Sequence, residues 1–110
     1  MSNMMHCAAH GQKVLEATYL RSIIKDEGHV TWLLDRLDRL MADVPSDLLS
    51  INALNAYREF SRSYKRDGLD GGLVHISWLV SSLRELPAGG ANGEVMSTAE
   101  QVANALELEW

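Results

Sequence analysis

SDLLSINALNAYREFSRSYKRDGLDGGLVHISWLVSSLREL, residues 46–86, decides how this chain folds. In its first half Leu49, Ala53, Ala56, Tyr57, Phe60 and Tyr64 recur three and four apart. On a helix that spacing gathers them on one face. Ser46 is a good N-cap, with Asp47 favourably placed in the first turn. The helix runs to about Arg66 and closes at Asp67–Gly68, where glycine accepts a left-handed C′ conformation. The second half starts at Gly71 or Gly72, after an LDGG turn, and continues to Leu86, where Pro87 stops it. Leu73, Ile76, Leu79, Val80, Leu83 and Leu86 form its apolar stripe. Two amphipathic helices joined this briefly pack antiparallel.

The same periodicity extends outward. A helix from about His6 to Glu27, ended by Gly28, carries Leu15, Ala17, Tyr19, Leu20, Ile23 and Ile24 over a wide arc. Another, from about Val30 to Ala42, has a stripe of Val30, Leu33, Leu34, Leu37, Leu40 and Met41, and Pro45 blocks its continuation. The stretch AGGANG, residues 88–93, reads as loop. Ser97 and Glu100 fit a capping box for a last helix that aligns Ala99, Val102, Ala103, Leu106 and Trp110. No period-two alternation marks a strand. The sequence therefore predicts an all-α fold, one domain over residues 1–110. It is a small antiparallel helical bundle of four to five helices, with residues 1–5 disordered and 87–96 a flexible loop before the last helix.

The 110 residues are 46% hydrophobic, which suits a globular domain with a modest core. No run is long and apolar enough to span a bilayer, and the N-terminal residues lack the pattern of a secretion signal. A single cysteine, Cys7, leaves no intramolecular disulfide and points to a reducing cytoplasm. The net charge of −5 disfavours direct binding of nucleic acid through a broad basic surface. The charge is also unevenly placed. Residues 87–110 hold Glu94, Glu100, Glu107 and Glu109 and no Lys or Arg, while residues 46–67 hold Arg58, Arg62, Lys65 and Arg66. These regions either pair, across the fold or across a dimer, or are both solvated.

Catalytic and metal chemistry finds little to build on. His6 and His10 share a helix face beside Cys7, but a closed zinc site asks for four ligands. Asp67 to Gly72 lacks the spaced oxygens of a calcium loop, and no Lys–Ser/Thr follows its glycines to make a phosphate loop. Glu16 falls within the apolar arc of the first helix, where a buried carboxylate more often pairs with a base than acts as an acid. The reading is a non-enzyme without cofactor or metal.

The informative residues leave their stripes. Trp78 sits with Val74 on the polar side of its helix, and Trp32 lies among Asp35, Arg36 and Arg39. Ile51 and Leu54 stand opposite the main apolar face of theirs, beside Arg58. Tryptophan and arginine are favoured in protein–protein contacts. These six residues are the candidates for binding a partner or a second copy, unless a fifth helix or a loop covers them within the chain.

INALNAYREFSRSYKRDG (51–68) and GGLVHISWLVSSLREL (71–86), with the length, acidic balance and helical order, resemble the small anti-activator proteins of bacterial quorum sensing. The resemblance implies a homodimeric helical protein that binds the ligand-binding domain of a LuxR-type receptor. It would block that transcription factor's dimerisation and DNA binding without touching DNA itself. The resemblance has no motif that assigns a role to a residue. The alternative is a phage-type inhibitor or toxin-immunity protein, whose acidic faces suit a basic enzyme.

Overall fold

The computed structural model describes residues 2–87 and 92–110, with side chains from residue 13 onward. Among the described residues five α-helices and one short 3-10 turn account for the regular structure: α1 (Ser2–Ile23), α2 (Glu27–Ala42), the turn Ser46–Leu48, α3 (Ile51–Asp67), α4 (Leu69–Arg84) and α5 (Gly93–Ala105). No strand occurs among the described residues. The all-α bundle expected from the sequence is the fold observed.

Several boundaries differ from the sequence expectation, and each difference has a capping residue behind it. Gly28 does not end the first helix. Asp26 accepts a 3.0 Å hydrogen bond from the His29 N–H and caps α2, which puts Gly28 in that helix's first turn. Ser46 starts only the 3-10 turn. Ser50 is the N-cap of α3, its hydroxyl accepting from the Ala53 N–H at 3.0 Å. Asn92, rather than the Ser97–Glu100 pair, caps α5 by accepting from the Val95 N–H at 2.9 Å. Residues 93–96 are therefore helical, and of the expected loop residues 88–91 lie outside the described residues. At the other end of the chain, α1 begins at Ser2, inside the stretch expected to be disordered.

The α3–α4 hairpin is tighter than the sequence suggested. Gly68 alone joins the two helices at φ 68° and ψ −145°, a conformation side chains resist. Its N–H donates to the Tyr64 carbonyl and its carbonyl accepts from the Gly72 N–H. Gly71 and Gly72, expected to end a turn, are buried in the first turns of α4. A Cβ on Gly71 would overlap the Ser63 carbonyl oxygen, so the pair lets the two backbones touch.

α4 is the central helix. It packs on α3, α1 and α5, while α2 packs chiefly on α5. The core joins Leu33, Leu34 and Leu37 of α2, Phe60 of α3, Leu73, Ile76, Leu79 and Leu83 of α4, and Val95, Val102 and Leu106 from the α5 region. α2 and α3 meet more sparsely, through two phenols. Tyr57 donates to the Asp38 carbonyl and Tyr64 to the Thr31 carbonyl, each at 3.3 Å. Burial pushes both phenols above their ordinary value, helped by the charge of Asp38 at Tyr57 and of Asp35 at Tyr64. A raised acidic group favours the folded state below its unfolded value and loses that contribution as pH rises through the folded one. Urea midpoints are thus expected to fall above about pH 10, the free phenol value. Tyr57→Phe/Tyr64→Phe should fall less steeply there; an unchanged alkaline slope would place the loss elsewhere.

α5 ends in a paired turn. The Leu108 N–H donates to the Ala103 carbonyl at 2.8 Å and the Glu107 N–H to the Asn104 carbonyl at 3.4 Å. This motif puts Glu107 at φ 55°, the one positive φ among the described non-glycine residues. The chain leaves the helix there, so Trp110 does not continue the α5 stripe as expected. Glu107→Gly is expected to raise stability by about 1 kcal/mol by removing the left-handed strain. A thermal melt of the variant, shifted upward by a few degrees, is the check.

Candidate interaction surfaces

Trp78 is half-buried and packs against the core. Its indole N–H donates to Asn52 Oδ1 at 2.9 Å, Asn52 Nδ2 donates to Ser82 Oγ at 3.0 Å, and Ser82 donates back to the Trp78 carbonyl at 2.8 Å. The Lys13 ammonium lies 4.7 Å from the ring centroid on the α1 side. Trp78 thus fills the seam where α1 and α3 both approach α4. It leaves the α4 stripe because a helix with three neighbours has little free polar face. Asn52→Ala is expected to cost about 1 kcal/mol and to shift Trp78 fluorescence, since the indole N–H and the Ser82 hydroxyl each lose a partner. An unmoved emission maximum would mean that the network is not formed in solution.

Val74, one turn earlier on α4, lines a groove of about 360 Å3 with Val14, Ala17, Thr18, Arg21 and Asp70. The groove runs between α1 and α4, which lie antiparallel: Lys13 reaches Trp78 near one end, and Arg21 is 3.5 Å from Asp70 at the other. Beside it α1 presents Val14, Leu15 (71% exposed) and Tyr19 (59% exposed). The sequence had placed Leu15 and Tyr19 in the core arc. Because α1 rests mainly on α4, a narrow strip around Ala17, Leu20 and Ile23 supplies the contact, and the rest of the arc remains outside. Glu16 is exposed for the same reason, not buried as expected.

The remaining candidates fall on two other faces. Ile51 is 80% exposed at the start of α3, near Leu48, with Leu54 half-buried and Arg58 exposed one turn further on. Trp32 is 52% exposed on α2. His29 stacks on it at 6.3 Å between centroids, and the Arg36 guanidinium stands 5.8 Å from the ring. Arg36 also donates to Thr98 on α5 at 3.3 Å. The six candidates therefore form no single patch. Val74 and Trp78 belong to the α1–α4 side, Ile51, Leu54 and Arg58 to the outer face of α3, and Trp32 to α2. Sequence reasoning missed Val14, Leu15 and Tyr19 as a surface, because how many neighbours each helix has is set by the fold and leaves no mark in the sequence.

The basic residues of α3 do not reach the acidic C-terminal stretch within the chain. Arg62 pairs with Glu59 at 3.1 Å and Arg66 with Asp67 at 2.9 Å, while Glu109 pairs with Arg84 at 3.0 Å. A second cavity, about 330 Å3, opens between Lys25, Asp26 and His29 on one side and Asn104, Ala105 and Glu107 on the other. No cluster of three or more His, Cys, Asp or Glu able to hold a metal occurs among the described residues, and His6, Cys7 and His10 lie outside them at the side-chain level. No helix among the described residues is long and apolar enough to cross a membrane.

No family model, no curated protein and no solved structure matches this chain.

Proposed function

We propose that this protein is a non-enzymatic regulator that works by docking onto another protein. Exposed apolar side chains carry the reading: Val14, Leu15 and Tyr19 flank an open groove floored by Val74, a set that solvent alone does not favour. The centre of a protein interface is more apolar than the surface around it and is enriched in aromatic groups such as Tyr19. The identity of the partner comes from the sequence resemblance to quorum-sensing anti-activators. On that reading the α1–α4 face binds the ligand-binding domain of a LuxR-type receptor in the cytoplasm. It displaces the receptor's own dimer contact, so operator DNA is no longer bound. The inhibitor acts as a homodimer and makes no contact with DNA.

The test mixes the purified protein with such a receptor domain on a sizing column with light scattering. The receptor dimer is expected to give way to a mixed complex, and operator binding by the full receptor to be lost in parallel. Leu15→Asp/Tyr19→Asp is expected to weaken the complex at least ~10-fold, about 1.4 kcal/mol, with the melting temperature unchanged because both side chains are already in water. A receptor that stays dimeric at saturating protein removes this mechanism.

One observation favours a second reading. Outside α3 the chain holds thirteen acidic residues against six basic ones. Such a surface suits an inhibitor or immunity protein directed at a basic enzyme. Inhibition of a nuclease encoded beside the gene, without any effect on receptor dimers, would select it.

A further inference from the structure

We propose that the outer face of α3 receives the acidic C-terminal edge of a second copy of this chain. Ile51 stands open at the head of α3 with Leu48 and Leu54 beside it. Below them, on the same exposed side, come Arg58, Arg62 and Lys65. Arg62 is paired only with its neighbour Glu59, and Arg58 and Lys65 enter no ion pair among the described residues. α3 thus concentrates four of the ten basic residues of a chain whose net charge is −5. Packing α3 on its own copy would bring these cations together, so this face selects an unlike, acidic surface.

The chain itself supplies one. No Lys or Arg follows Arg84, and Glu100, Glu107 and Glu109 are exposed. The hydrogen-bonded turn after α5 fixes the direction in which Glu107 to Trp110 leave the helix. Trp110 is 37% exposed, and the Glu109 side chain remains 86% exposed although Arg84 holds it at 3.0 Å. An indole preceded by the two carboxylates of Glu107 and Glu109 matches an Ile–Leu tip that leads into three cations. A contact between unlike faces stays finite only if it closes. A two-fold pair does so, each α3 holding the other copy's C-terminal edge, so that the contact is made twice toward the roughly 800 Å2 per partner that a stable interface needs.

The inference rests on the dimeric part of the function proposed above and is independent of the receptor's identity. Sedimentation equilibrium of the full chain tests it. A concentration-dependent dimer is expected, weakened at least ~10-fold between about 0.05 and 0.5 M NaCl. Arg58→Glu/Arg62→Glu and Glu107→Lys/Glu109→Lys should each weaken it ~10-fold. Combined in one chain, they should restore it to within ~3-fold of the parent. Ile51→Asp should lower dimerisation while leaving circular dichroism and melting intact. A monomer at every concentration overturns both this inference and the dimeric reading. A dimer indifferent to either reversal, or one the combination fails to restore, overturns the α3 docking alone. Loss of receptor binding with the dimer unchanged overturns it too, and assigns α3 to the receptor.

Discussion

Gly71→Ala is expected to destabilise the protein by about 3 kcal/mol, against the ordinary helix preference. Alanine in a helix interior is favoured over glycine by roughly 1 kcal/mol, so propensity alone predicts a gain. At Gly71 the added methyl would occupy the position of the Ser63 carbonyl oxygen and come within 2.8 Å of Asp67 Cβ. Neither obstacle is the end of a flexible side chain. The α3–α4 hairpin must open, and overpacking of this kind costs about 1–3 kcal/mol or more. Gly72→Ala is a useful contrast. Its methyl would meet Tyr64, Leu34 and Phe60 side-chain atoms at 3.0, 3.2 and 3.3 Å, where rings and methyls can yield by tenths of an ångström. The expected order in urea denaturation is parent, then Gly72→Ala, then Gly71→Ala. A Gly71→Ala protein as stable as the parent would show that the two backbones are further apart than described.

Phe60→Ala is expected to cost about 4 kcal/mol, enough to unfold much of a domain of this size at 37 °C. Phe60 is fully buried, stacks on Tyr64 at 5.5 Å between centroids and lies against the Gly72 backbone. It is the sole phenylalanine in the chain and the largest fully buried side chain, so its loss leaves a void among α2, α3 and α4. Phe60→Leu, which keeps most of the volume, should cost about 1.5 kcal/mol. Equal losses for the two variants would mean that the site collapses around either side chain, and that the cavity contributes nothing.

The stripes of residues 30–41 and 53–64 were legible because each of those helices buries one face, which is the case the 3.6-residue period describes. α4 exceeds that case. Its neighbours cover more than half its circumference, so Trp78 and Ser82 look displaced in sequence yet are well packed in space. α1 falls short of it. With one main neighbour it needs fewer apolar positions than it has, and Leu15 and Tyr19 are left over. Helix ends were read less well, since Ser46, Ser50, Ser97 and Asn92 are all plausible caps and only the folded chain selects among them. Ile51, Arg58 and Trp32 were legible as outward-facing because nothing in the bundle reaches them. The division of the candidates among three faces was not, since it depends on how helices are arranged around α4 rather than on any one helix.

The attachment of α1 has a kinetic corollary. A helix held along one seam, and joined to the remainder by only Ile24, Lys25 and Asp26, can lift away without disturbing the α3–α4 hairpin. Amide protons of residues 14–23 should then exchange with deuterium orders of magnitude faster than those of residues 73–83, in a partial opening that precedes global unfolding. The groove beside α1 would thereby be hinged on one side, its width set by how often that helix detaches.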